Sequence, residues 1–150
     1  DSHTGGVSTP PLGDLVAVDL VPYRTLVAQA PVAVMLGHLQ VQGLTGANPA
    51  SLSPEAVQLL RTGTGYGGPP FDGPIISDDL SSMAAISDRF GVTDAVLLAL
   101  KAGTDIALWV TTKEVPAVLD RLEQALNAGE LDRGAVDASL ARVAKMKCGR

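Results

Sequence analysis

Three short apolar runs recur along the chain, and a helical pattern separates each from the next: VAVML (32–36), PIIS (74–77) and DIALWV (105–110). Two strands joined through a helix run parallel, with a right-handed crossover. A continuous apolar run is what a strand covered on both faces requires. The intervening helices carry their own punctuation. Leu20, Tyr23, Leu26 and Val27 recur at helical spacing over 19–29, and Pro31 stops that pattern. Ser53 is placed to cap a helix with Pro54 at its first position and Gly63 beyond its end. Thr93 reads as the cap of a helix over 93–102 that stops at Gly103. A helix over 115–128 precedes Gly129, and Asp132 caps a last one running to about 147. The order is α, β, α, β, α, β, α, α.

Three parallel strands leave two open apolar edges. A (β/α)8 barrel needs eight strands, so these would be its last three. A doubly wound sheet is the other option; it also wants more strands, and no G-x-G-x-x-G follows any strand here. The chain opens on Asp1 rather than methionine, in a polar, Gly-containing loop, and is expected to be the tail of something longer. DSHTGGVSTPP has neither the positive nor the apolar region of a signal peptide.

Composition narrows the partners. The net charge is -5, and no cluster of Lys and Arg marks a nucleic-acid surface or an anionic membrane site. No apolar run approaches the roughly 18 residues of a membrane span, so no membrane insertion by this segment is expected. A single cysteine, Cys148, forms no intrachain disulfide, and the two histidines, His3 and His38, lie too far apart in sequence to suggest a metal site. The Gly-rich stretch 63–73 lacks the Lys-Ser/Thr of a phosphate loop, and no cofactor is expected.

The chemistry gathers where strands end. In α/β barrels reactive residues sit at the C-terminal ends of strands, and PIIS runs directly into Asp78 and Asp79. Burying unpaired carboxylates is costly, and adjacent ones repel. The plain reading is a cap plus a first-turn acid; one of the two can cap while the other stays free for chemistry. His38 follows VAVML, and Thr111 and Thr112 follow DIALWV. A buried histidine satisfied by backbone is the plain reading of His38. Asp105 reads as a turn residue. In DSH, Asp1 is close enough to orient the His3 imidazole as a general acid/base, although from spacing alone a frayed terminus with a solvated Asp and His is the plain reading of so short a pattern.

Taken together, DSH, VAVMLGHL, NPASLSPEAVQLLR, FDGPIISDDLSSM and LLALKAGTDIAL resemble glycoside hydrolase family 3, in its β-N-acetylhexosaminidase branch and most nearly the actinobacterial lipoprotein type. The resemblance runs through residues 1 to about 110. It implies an α/β fold: the C-terminal portion, about three βα units, of a TIM-type (β/α)8 barrel, with the upstream strands outside residues 1–150. It implies a retaining β-N-acetylglucosaminidase acting on cell-wall peptidoglycan fragments (muropeptides) in the cell envelope. Asp78 would be the nucleophile, His3 the general acid/base and Asp1 its orienting acid; His38 and Met83 would line the sugar site. DDLSSM carries one residue more than the family's usual motif, which shifts Met83 but not Asp78. The elements that grip the N-acetylglucosamine lie upstream in the family, so the partner this segment needs is the N-terminal remainder of its own barrel. The alternative is a non-catalytic barrel fragment or degenerate homologue serving as a binding or assembly module.

Overall fold

The computed structural model describes residues 1–29 and 31–148. The elements are β1 (Val7–Ser8), α1 (Leu12–Ala17), α2 (Tyr23–Gln29), β2 (Val34–Leu36), β3 (Leu39–Gln40), a 3-10 turn (Ala50–Leu52), α3 (Pro54–Thr62), β4 (Ile75–Ser77), α4 (Ala84–Ser87), α5 (Val92–Ala102), α6 (Val115–Asn127) and α7 (Arg133–Lys147). All strand pairing is parallel. β2 pairs with β4 (Val34 with Ile75, Leu36 with Ser77), and β1 pairs with β3.

Local chemistry explains most boundaries. The Ser53 hydroxyl accepts from the Ala56 amide at 3.3 Å, with Pro54 opening α3. Asp132 caps α7 through the Ala135 amide at 2.7 Å. Gly63 and Gly103 end α3 and α5 at φ 69° and 102°, which a side chain would strain.

Three expectations about the elements are corrected. The helix expected over 19–29 begins only at Tyr23, because Pro22 keeps Val21 out of helical geometry; an additional short helix, α1, precedes it. α5 starts at Val92 after Gly91, so Thr93 lies inside the helix and caps nothing. The third strand is reduced to one bridge, Ile76 to Ile106. Beyond it the segment keeps to the neighbouring chain differently: the Leu108 amide donates to the Ser77 hydroxyl at 2.9 Å, and the Val110 amide to the Ser81 hydroxyl at 3.1 Å. Serine hydroxyls supplement the backbone bonds that remain, from the Ser77 amide to the Ile106 carbonyl and from the Leu80 amide to the Leu108 carbonyl, both at 2.9 Å.

The helices cover one face of the strands. Ile75 packs with Val57, Leu60 and Phe71, joined by Val34 and Leu36. Leu80, Ile86, Val96 and Val118 form a second cluster around α5. Each fully buried Ile or Leu contributes roughly 1.5–3 kcal/mol. At the alternate position Met35 is 57% exposed, so among the described residues that side is left open there.

Asp105 is not a simple turn residue. Its side chain is fully buried and accepts from Arg61 (2.5 Å), the Ile75 amide (2.7 Å) and Arg142 (3.1 Å). Arg142 also reaches Asp72 at 3.1 Å. One carboxylate thus ties α3, the start of β4 and α7 together. Replacing Asp105 by Ala leaves two arginines facing each other without their shared anion. We expect Asp105→Ala to lower the unfolding free energy in urea by about 3–5 kcal/mol. A loss below about 1 kcal/mol, the scale of an exposed pair, would show that the network adds no net stability.

Candidate active site

The site is built where β2 and β4 end. The Asp78 amide donates to the Leu36 carbonyl at 3.0 Å, which anchors Asp78 to the end of β2. The Asp78 carboxylate accepts from the Asp79 amide through Oδ1 at 2.8 Å. Among the described residues no group donates to Oδ2. One oxygen is held and the other is left available, and the side chain is only part-buried.

Asp79 does the opposite work. Its carboxylate accepts from the Ser81 amide (2.9 Å), the Ser81 hydroxyl (2.6 Å), the Ser82 amide (3.2 Å) and the Ser82 hydroxyl. It closes the turn after the strand, as expected of one acid of the pair. Burial pushes its carboxyl up, but the hydrogen bonds from Ser81 and Ser82 together outweigh this, and the net direction is down.

The DSH loop is ordered by Asp1. Its Oδ1 lies 2.8 Å from His3 Nδ1 and accepts from the His3 amide at 3.0 Å. Both side chains are largely exposed. The carbonyls of Ser2 and His3 accept from the amides of Ala85 (3.2 Å) and Ala84 (3.4 Å), the first residues of α4. The loop bearing His3 is therefore latched to the helix that follows the Asp78–Asp79 turn.

His38 and Met83 lie lower than expected of sugar contacts. His38 is 1% exposed, with Nδ1 2.7 Å from the Ser51 hydroxyl and Nε2 2.8 Å from the Asp79 carbonyl. Neither nitrogen is left for a sugar, and further chain around the site would only bury the ring more. Met83 is 3% exposed. Thr112 is exposed and accepts from the Val115 amide through its carbonyl, ending the 105–110 segment beside the Ser81–Ser82 turn. Ser51, Ser77, Ser81 and Ser82 were not singled out from sequence. A serine carries no local signal of a partner 13 or 31 residues away.

Among the described residues no group of three or more His, Cys, Asp or Glu is placed to hold a metal, and no helix is long and apolar enough to cross a membrane.

The framework is parallel α/β, with an acid held at a strand end and a D-x-H loop latched to the helix that follows it. Residues 1–146 match the Glycosyl hydrolase family 3 N terminal domain, and the chain belongs to that family. Its fold is accordingly a portion of a TIM-type barrel. It is 76% identical to the curated Beta-hexosaminidase LpqI of Mycobacterium tuberculosis over the whole chain, which spans 40% of that relative. The solved structure of M. tuberculosis LpqI superimposes with a TM-score of 0.97 at 78% identity, covering 98% of this chain and 43% of that one. A family 3 glycosyl hydrolase from Mycobacterium smegmatis superimposes at 0.95 and 70% identity, covering 97% and 45%. The chain thus spans about two fifths of the length of these relatives.

The lowered Asp79 carboxyl sets a pH dependence. Its folded pKa lies below the unfolded value, so its stabilisation is complete above the ordinary carboxylate range and is lost as pH falls through the folded pKa. We expect Asp79→Asn to reduce stability at pH 7 and to flatten the acid limb of a denaturation profile between about pH 5 and 2. Parallel profiles for the two proteins would remove Asp79 as the source of that limb.

Proposed function

We propose that this segment is the C-terminal part of the catalytic barrel of a retaining β-N-acetylhexosaminidase, working with the upstream strands of the same barrel. The observation that carries the reading is the arrangement around Asp78: a strand-end carboxylate with one oxygen held and one available, and a loop-borne His3 oriented by Asp1 and bonded to the next helix. Relatives named beta-hexosaminidase support the reaction class. A structure titled as the beta-N-acetylglucosaminidase of Thermotoga maritima, at 30% identity and a TM-score of 0.81, supports the sugar.

In this mechanism the Asp78 carboxylate attacks the anomeric carbon while His3, as imidazolium, passes its Nε2 proton to the leaving oxygen. The glycosidic C–O bond breaks and a sugar ester on Asp78 forms. The neutral imidazole then takes a proton from water, whose oxygen attacks the same carbon and releases Asp78. A histidine suits a site with one carboxylate already ionised, because two neighbouring carboxylates raise each other's pKa. The substrate we infer is a terminal N-acetylglucosaminide from cell-wall peptidoglycan fragments. The envelope is the location we infer, in keeping with the lipoprotein-type resemblance.

Incubation of the enzyme containing residues 1–150 with a fluorinated, activated N-acetylglucosaminide should leave one sugar on the peptide bearing Asp78. Asp78→Ala should abolish that adduct and cut kcat by roughly 10⁴-fold or more. His3→Ala should cost about 10²–10⁴-fold on an alkyl aglycone, and far less for glycosylation by an aryl glycoside whose leaving group needs no proton. No adduct and no hydrolysis would replace this reading with that of a binding or assembly module.

A further inference from the structure

Asp78 lies in a stretch without regular structure, yet its backbone is fixed on both sides. On the upstream side the Asp78 amide is bonded to the Leu36 carbonyl. On the downstream side the Asp79 carbonyl is 2.8 Å from His38 Nε2. A carbonyl oxygen only accepts, so Nε2 carries the proton and donates it. That assignment makes Nδ1 of a neutral ring the acceptor, and the Ser51 hydroxyl, 2.7 Å away, donates to it. Ser51 is itself fully buried, and its amide donates to the Gly37 carbonyl at 3.2 Å. The chain of contacts runs from Gly37 through Ser51 and His38 to the residue that follows the proposed nucleophile.

We propose that His38 is a positioning residue for Asp78, held in its Nε2–H form by Ser51, and that its role is to fix the Asp78–Asp79 backbone rather than to touch the sugar. The inference rests on Asp78 being the nucleophile. The Asp79 amide holds Asp78 Oδ1, and the Asp79 carbonyl is held by His38. Any swing of the Asp79 backbone therefore moves the donor that aims the Asp78 carboxylate. β4 ends at Ser77, and the Asp79–Leu80 peptide beyond it is held at two points: its amide donates to the Leu108 carbonyl at 2.9 Å, and its carbonyl meets His38. Without the imidazole, the buried Asp79 carbonyl has lost its donor and the turn relaxes toward another. A displacement of about 1 Å at a reacting group costs on the order of 10²-fold in rate. The ring is 1% exposed, which rules out a role that needs contact with substrate in this arrangement.

The test uses the whole enzyme that carries this segment, with an aryl N-acetylglucosaminide and mass-spectrometric timing of the Asp78 adduct. His38→Ala should slow kcat and adduct formation about 30–100-fold, with KM within about threefold and with thermal melting monitored in parallel. His38→Gln, whose side-chain amide can donate to the same carbonyl, should recover to within about fivefold of wild type. Ser51→Ala keeps the ring but frees its orientation, and should lower kcat about 3–10-fold at unchanged KM; it decides the matter if His38→Ala does not fold. Wild-type rates in Ser51→Ala or in a folded His38→Ala would overturn the proposal. So would equal losses in His38→Ala and His38→Gln. A wild-type enzyme that neither hydrolyses the glycoside nor forms the adduct instead rejects the enzymatic reading, and this inference with it.

Discussion

Everything near the site follows from the point at which β4 stops being a strand. Past Ser77 the chain leaves its ladder, yet it stays in a place where backbone amides and carbonyls cannot be left unpaired. Two backbone bonds persist, from the Asp78 amide to Leu36 and from the Leu80 amide to Leu108, and side chains supply the other partners. Ser77 and Ser81 receive the amides of Leu108 and Val110. Asp79 receives the amides of Ser81 and Ser82, and His38 donates to the Asp79 carbonyl. The turn is stiff without being regular, because side-chain partners replace the repeating backbone pattern. Within it, Asp78 is the acid whose second oxygen is left without a donor among the described residues.

The opposite ends of the strands show the complementary solution. Asp78 follows β4; Asp105 precedes the segment that runs beside it. Asp105 is enclosed, its carboxylate shared between Arg61, Arg142 and the Ile75 amide. A buried carboxylate shared between two arginines and an amide contributes tertiary ties and is closed off from solvent. In barrels of this class the N-terminal face carries stability and the C-terminal face carries chemistry. Here, among the described residues, the two aspartates differ in their partners: Asp105 accepts from two arginines and an amide, Asp78 from the Asp79 amide alone.

How far the sequence is legible depends on how local the determining contacts are. Ser53 and Asp132 announce their helices because each caps an amide three residues on. Asp1 and His3 can be paired on paper because they are two apart. Asp79 can be read as the acid that serves the turn, since its donors are Ser81 and Ser82. The break before α2 was also written locally, in Pro22, but the periodicity of Leu20, Tyr23, Leu26 and Val27 obscured it. By contrast, Asp105 meets Arg61 and Arg142 across 44 and 37 positions, and His38 meets the Asp79 carbonyl across 41. No pattern in the chain announces such partners. The third strand shortens for a related reason: whether an apolar run is laddered depends on what its neighbour offers, and here the Leu108 and Val110 amides meet serine hydroxyls instead of carbonyls.

The two proposed catalytic groups are held with very different firmness, and the chemistry gives a reason. A nucleophile must meet a carbon atom along one line, so Asp78 is bonded from the end of β2, from its own neighbour's amide and, through Asp79, from a buried histidine. The acid/base must deliver a proton to one oxygen and later take one from another, so a fixed position would serve one step at the expense of the other. The His3 loop is held to α4 by two backbone hydrogen bonds of 3.2 and 3.4 Å, at the long end of the usual range, with its side chain exposed. Gly5 and Gly6 follow directly, and a Cβ at either would meet nothing within 4 Å. Space does not require glycine there; what the residues add is backbone freedom next to a light latch.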